Sequence, residues 1–261
     1  QTEKMVCIGG LAAGISHEIN NPLGIILQGI QNTLRRLSPE LEQNTQIALE
    51  SGTDLERIRM YLEKRNILRY LSEIQEAGIR ASKIVKNMLK FSHNSELIMA
   101  PTNLNMLIDE TLELAAYDYD LKKKYDFKQI RIIRDYDEDL PEVPCATTEI
   151  EQVFLNLLRN SAQAISEKKE SLEKPQIRIV TNKEPTSVKI TFEDNGAGMD
   201  ETTRKRVFEP FFTSKEVGDG TGLGLSISYF IITELHRGTI EVESSPDRGT
   251  TFTIHLPLLR D

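Results

Sequence analysis

The stretch Gly14-Ile15-Ser16-His17-Glu18-Ile19-Asn20-Asn21-Pro22-Leu23 lies in a run whose apolar residues Met5, Ile8, Ala12, Ile15, Ile19, Ile26 and Ile30 step by three and four. That spacing lines one side of a helix with a seam suited to partner helices. A helix turns about 100° per residue, so His17, two positions from both Ile15 and Ile19, points away from the seam and into solvent. Asn21 follows at i+4 from His17, and Glu18 precedes Asn21 by three. An imidazole, a carboxylate and an amide therefore share one exposed patch. Pro22 removes the amide that would bond to the Glu18 carbonyl and predicts a bend beside the histidine. Taken alone, His17 also reads as an ordinary surface histidine, and only its surroundings in the rest of the chain separate the two readings.

Outward from that stretch, the first helix extends from about Glu3 to Leu37, where Ser38-Pro39 interrupts it. The segment to Gly52 is polar with some helical character. Thr53-Asp54-Leu55-Glu56 has the form of a capping box. A second long helix is expected from there to about Ser92, with Ile67, Leu71, Ile74, Gly78, Ala81, Val85 and Met88 again stepping by three and four. Two such helices make an antiparallel hairpin with an apolar stripe on each. A hairpin this thin cannot bury both stripes alone, so pairing of two copies into a four-helix bundle is the natural solution. The alternative is a monomeric hairpin docked on the rest of the chain.

The chain has 261 residues, enough for two domains and a sizeable core. Its net charge of -8 and pI of about 5.2 argue against a nucleic-acid surface. Cys7 and Cys145 lie far apart without metal-ligand spacing and point to a reducing compartment. No apolar run approaches the roughly 20 residues that span a bilayer, and no signal peptide is present. The sequence starts inside an amphipathic helix, which reads as a fragment of a longer protein, cytoplasmic in this part and with membrane attachment of the whole left open.

His93 to Pro101 reads as a linker, placing one unit at 1–95 and a second at 96–261. In the second, Asn103 to Ala116 and Thr147 to Ser166 are helical. Ile130 to Tyr136, Gln176 to Thr181, Val188 to Asp194, Thr239 to Glu243 and Thr250 to Leu256 are strand-like, and a helix runs from Leu223 to about Leu235. This is an α+β domain with a mostly antiparallel sheet and helices on one face.

Four segments in this domain carry chemistry. Asn156 and Asn160 sit one turn apart on the helix from Thr147. Amide oxygens are suitable hard ligands for Mg²⁺, although such a pair also occurs as buried hydrogen-bonding amides. Asp194-Asn195-Gly196-Ala197-Gly198-Met199 ends a strand in a carboxylate and turns on two glycines, either a plain turn or a place where the exocyclic amine of adenine meets an acceptor. Gly218-Asp219-Gly220-Thr221-Gly222-Leu223-Gly224-Leu225 leads straight into a helix, where free amides can cradle phosphate. It is neither a P-loop nor a dinucleotide fingerprint. Phe208-Glu209-Pro210-Phe211-Phe212-Thr213-Ser214-Lys215 lies between the last two as a flap, with aromatic residues to dock and Lys215 to meet phosphate.

In order and spacing these segments resemble the catalytic core of bacterial sensor histidine kinases, and the resemblance covers nearly the whole chain. His17-Glu18 to Leu23 looks like the H box, Asn156 to Asn160 the N box, Asp194 to Gly198 the G1 box, Phe208 to Phe212 the F box and Gly220 to Gly224 the G2 box; Gly249-Thr250-Thr251-Phe252 completes the set. The implied fold is multidomain, α followed by α+β: a helical hairpin forming a dimeric four-helix bundle, then an α/β-sandwich ATP-binding domain of the Bergerat type. The implied reaction is attack by a His17 ring nitrogen on the γ-phosphorus of MgATP, with Glu18 holding the proton on the other ring nitrogen. The phosphoryl group would then pass to an aspartate of a response-regulator receiver domain.

Residue by residue, the resemblance makes Asn160 the Mg²⁺ ligand with Asn156 in support. Asp194 reads adenine, with Gly196 and Gly198 letting the base approach and Thr251 assisting through water. The segment Gly220, Thr221, Gly222, Leu223, Gly224 and Leu225 holds phosphates, aided by Arg159, Thr213 and Lys215. Asn21 would orient a water for the reverse phosphatase reaction. A homodimer, an upstream sensor domain outside this sequence and no nucleic-acid partner complete the expectation. Two rivals remain, an ATPase of the gyrase and chaperone group and a nucleotide-binding scaffold without turnover. The ATPases carry a glutamate base one turn before the metal-binding asparagine, and here that position is Asn156.

Overall fold

The computed structural model describes residues 2–89, 98–117, 127–168, 174–214 and 221–258, with side chains described from residue 19 onward except at 83 and 86–89. Residues Glu3–His93 and Asn94–Asp261 form two compact units.

In the first unit, α1 (Thr2–Arg36) runs on through Pro22 without interruption. The Asn44 amide donates to the carbonyls of Arg35 at 2.9 Å and Ser38 at 2.8 Å, tying α2 to the end of α1. Three helices follow, α2 (Glu42–Glu50), α3 (Leu55–Lys64) and α4 (Ile67–Leu89). The single second helix expected from the apolar steps is thus broken in two. Asn66, at φ 57°, takes the left-handed conformation that asparagine tolerates, and it ends α3 before α4 begins. The cap of α3 is Asp54 and not Thr53, its carboxylate accepting the Glu56 N–H at 2.9 Å.

Gly78 brings α4 close to α1, since a Cβ there would meet Leu27 Cδ2 at 2.7 Å and Leu23 Cδ1 at 3.6 Å. The face of α1 turned to α4 therefore carries Leu23 and Leu27. Ile19, Ile26 and Ile74, counted in the expected seams, stay 41–51% exposed. A straight helix drifts about 20° per heptad against a seven-residue repeat, so what reads as one stripe separates into an inner and an outer one.

The second unit contains β1 (Ala100–Thr102), α5 (Leu104–Tyr117), a short 3-10 turn (Phe127–Gln129), β2 (Arg131–Asp135), β3 (Val143–Cys145) and α6 (Thr147–Glu167). It continues with β4 (Gln176–Lys183), β5 (Ser187–Asp194), α7 (Glu201–Arg206), α8 (Gly224–Phe230), a π-helical turn (Ile231–Leu235), β6 (Thr239–Ser245) and β7 (Gly249–Pro257). The main sheet has the order β2-β4-β5-β7-β6, parallel only between β2 and β4. β1 and β3 form a separate antiparallel pair. Strands of three residues are too short to show an alternating pattern, which is why these two escape a reading of the sequence.

One face of the sheet is buried with the period of a strand. Ile177 and Ile179, then Val188, Ile190 and Phe192, then Phe252, Ile254 and Leu256 are all at most 2% exposed. Helix α6 presents Ile150, Val153, Phe154, Leu157 and Leu158 as its buried stripe, and Phe154 lies 5.4 Å from Phe192 between ring centroids. The register pairs Asp194 with Thr250 and Glu193 with Thr251. Gly249, at φ 86°, sits beside that pair, and a Cβ there would collide with the Asp194 carbonyl oxygen. Gly249→Ala combines left-handed strain with overpacking and is expected to lower unfolding stability by about 3 kcal/mol. A fall in the urea midpoint at unchanged slope would show it; an unchanged midpoint would count against the contact.

Candidate nucleotide site

The site assembles where the buried end of β5, the middle of α6 and the start of α8 meet. Asp194 is only 4% exposed, and its Oδ1 accepts the Gly196 N–H at 2.9 Å. Burial pushes its carboxyl above the usual carboxylate range, and the Gly196 N–H opposes that shift. Ser161, buried on α6, lies near enough to help hold the carboxylate's charge, yet its Oγ completes no well-formed hydrogen bond among the described residues. A buried hydroxyl left in that state beside a buried carboxylate fits a polar ligand with several hydrogen-bonding edges, as adenine has.

The loop after Asp194 is held from three sides. A Cβ on Gly196 would lie 2.6 Å from the Ala164 carbonyl carbon on α6, and the Ala197 N–H donates to the Ala164 carbonyl at 2.9 Å. Gly198, at φ 67°, abuts the Ser245 carbonyl oxygen, and Asp247 donates its N–H to the Ala197 carbonyl at 2.7 Å. The Lys168 ammonium donates to the carbonyls of Asn195 at 2.9 Å and Asp247 at 3.1 Å, tying the loop to the β6–β7 turn. Lys168→Met is expected to weaken adenine-nucleotide binding about fivefold by loosening that loop. Calorimetric titration with ATP checks it, and an unchanged affinity would mean the glycine contacts suffice.

On α6, the Asn156 amide donates to the Gly224 carbonyl at 3.2 Å and to the Ser228 hydroxyl at 3.4 Å, so it fastens α6 to α8. Asn160, one turn on, is half-buried and makes no hydrogen bond among the described residues, which leaves its amide oxygen free for a ligand. Arg159, between them in sequence, is also half-buried. Gly222, at φ 64°, would collide with the backbone of Phe211 if it carried a Cβ, so the glycine-rich segment passes close against Phe211 there. Phe211 is itself left-handed at φ 64° and exposed, whereas Phe208 packs at 5.3 Å from the Tyr229 ring. The Thr221 hydroxyl accepts the Leu223 N–H at 3.4 Å; Leu223 is buried, and Leu225 and Gly224 open α8. Thr213 is exposed, and Lys215 and Gly220 lie outside the described residues.

Thr251 is not placed with Asp194. Its strand partner is Glu193, and both lie on the face of the sheet opposite the Asp194 carboxylate. Thr250 is the threonine on that carboxylate's side, 5% exposed, with its Oγ1 3.0 Å from the Ser244 hydroxyl. Phe252 in the core was the missed signal, since a strand alternation that buries Phe252 also buries Thr250 and turns Thr251 outward. Ser161 and Lys168 carried no motif that would single them out. In the helical unit, His17 and Glu18 belong to α1 with side chains outside the described set, and Asn21 is exposed one turn later.

The described residues hold no cluster of three or more His, Cys, Asp or Glu side chains able to bind a metal. An amide oxygen from Asn160 with oxygens from a polyphosphate is a donor set that suits Mg²⁺, which keeps much of its water and needs few protein ligands. No described helix is long and apolar enough to cross a membrane.

Residues 145–260 match the family of histidine kinase-, DNA gyrase B- and HSP90-like ATPases. Over 99% of its length the chain is 32% identical to the signal transduction histidine-protein kinase AtoS of Escherichia coli, covering 36% of that protein. Over 98% it is 30% identical to sporulation kinase A of Bacillus subtilis, again covering 36%. The chain thus spans about a third of the length of these relatives. Among solved structures, the catalytic domain of histidine kinase ThkA is 30% identical with a TM-score of 0.50, matching 61% of this chain and 95% of that one. The structure of ThkA in complex with the response regulator protein TrrA is 27% identical with a TM-score of 0.58, matching 99% of this chain and 64% of that one. With its ATP-binding domain at residues 145–260, the chain belongs to the sensor histidine kinases, of which it carries the catalytic core.

Proposed function

We propose that the chain is the autokinase and phosphotransfer core of its protein, with 1–95 as phosphoacceptor and dimerisation unit and 96–261 as ATP-binding unit. The observation that carries this reading is that Asn156 fastens α6 to Gly224 at the start of α8 while Ser161 on the same helix lies against the Asp194 carboxylate, and that the first unit offers His17 on an uninterrupted helix. Asp194 reads the adenine amine, Thr250 takes the place first given to Thr251, and the amides of Gly222 to Leu225 hold phosphate. Mg²⁺, held by Asn160, would neutralise charge on the phosphates. A His17 ring nitrogen attacks the γ-phosphorus, the bond to the bridging oxygen breaks, and ADP leaves. Glu18 retains the proton on the other ring nitrogen and stabilises the ring's developing positive charge.

The P–N bond then passes its phosphoryl group to an aspartate of a receiver domain. That ThkA has been seen with a response regulator supports a partner of this kind. The exposed Asn21 suits the orientation of a water for the reverse, phosphatase reaction. The outer stripe of Ile19, Ile26 and Ile74 is the face on which a second copy completes a four-helix bundle. An upstream sensor domain and a cytoplasmic setting belong to the same reading. Incubation with γ-phosphate-labelled ATP and Mg²⁺ tests it. Acid-labile, base-stable label that moves to an added receiver domain supports it, and tight ATP binding with no label on the protein would favour a scaffold instead.

A further inference from the structure

His236 is 2% exposed at the end of the π-helical turn, and neither of its ring nitrogens is idle. The Ile231 carbonyl receives the His236 N–H at 3.1 Å, the five-residue step of a π-turn, and also pairs with Nδ1 at 2.8 Å. On the other side of the ring, Nε2 accepts the Ala146 N–H at 3.0 Å. Because Nε2 is an acceptor, the proton must sit on Nδ1, and the two bonds together assign one tautomer. Ala146 is the N-cap residue of α6 and has no side chain able to cap. Its carbonyl accepts from Glu149 and Ile150, and its own N–H is taken by His236. The imidazole therefore ties the start of α6 to the segment that continues α8.

That tie has a counterpart further along α6, where Asn156 reaches Gly224 and Ser228 on α8. Two points of attachment fix how one helix lies along another, where one point leaves a pivot. The end of α6 nearer the adenine is held independently, through Ala164 and the loop at Gly196 and Ala197. Loss of the bond to Ala146 leaves Asn156 as a pivot, so the direction of α6 past it, and with it the placing of Asn156 and Asn160, is no longer fixed. We propose that His236 is a positioning residue, fixing the start of α6 so that Asn156 and Asn160 stay in place against the phosphate-holding start of α8. This rests on the nucleotide reading of the site.

The test uses two amides that each copy half of the imidazole. Glutamine can put an oxygen where Nε2 is and so keep an acceptor for Ala146. Asparagine can put a donor where Nδ1 is and so keep only the bond to Ile231. His236→Asn is expected to speed hydrogen exchange at the Ala146 amide and weaken ATP binding about tenfold, measured by calorimetry in Mg²⁺. His236→Gln should restore ATP binding to within about threefold of the parent. Thermal unfolding confirms that both variants fold. Faster exchange at Ala146 with unchanged ATP affinity would reduce His236 to a purely structural staple, and equal loss in both variants would remove the acceptor bond as the cause. Failure of the parent to bind ATP would end the nucleotide reading and the positioning role with it, a result that the exchange measurement, made without nucleotide, keeps distinguishable.

Discussion

Asp194→Asn is expected to weaken ATP binding at least about 100-fold while making the nucleotide-free protein more stable. The carboxylate is buried, and its Oδ1 already serves the Gly196 N–H. In asparagine one atom stays an acceptor and the other becomes a donor. If the acceptor keeps Gly196, a donor faces the adenine amine; if the amide turns over, Gly196 loses its partner. Either way a buried donor is left unmet, and a site built on such a bond discriminates strongly.

The stability gain follows from the direction of the Asp194 shift. Burial raises its folded-state pKa, so its favourable contribution is present at low pH and is lost as pH rises through that raised value. Above that raised value the ionised group is held at a cost, which the neutral amide removes. With the ionised form as the proposed acceptor for adenine, affinity in the parent should fall as pH is lowered through that pKa, earlier than for an ordinary carboxylate. Titration calorimetry across pH and urea unfolding read both effects. An asparagine variant that binds ATP within threefold of the parent would remove Asp194 from the adenine site.

Much of this architecture was legible because long elements repeat their own period. Helix α6 shows its buried stripe from Ile150 to Ala162, and β5 alternates without a fault from Val188 to Asp194. The turn at Gly198 was legible as a turn, and its φ is positive. What could not be read were contacts between segments distant in sequence. Nothing local says that His236 reaches Ala146, 90 residues away, or that Lys168 holds the loop after Asp194. The break at Asn66 was hidden for another reason, since the apolar steps continue across it while the backbone does not. The register puts Thr250, not Thr251, across from Asp194, and the alternation that buries Phe252 carries that information in the sequence.

His17→Gln is expected to abolish phosphorylation of the protein, by at least about 1000-fold, and to leave ATP binding within about twofold of the parent. Glutamine fills nearly the volume of histidine, favours helix and is neutral, so it disturbs α1 little. Its side-chain nitrogen, however, shares its lone pair with the carbonyl and cannot attack phosphorus, whereas a neutral imidazole holds a free lone pair in the ring plane. The match to the ATPase family lies at residues 145–260, in the unit that does not contain His17, so removing the acceptor should leave the nucleotide site intact. Binding without labelling is the signature that separates an acceptor from a residue that helps hold ATP. It also divides the two rivals, because an ATPase that uses water would keep hydrolysing ATP in the variant at the parent's rate. Label that persists in His17→Gln would place the acceptor elsewhere, and ATP binding lost together with label would make His17 part of the nucleotide site.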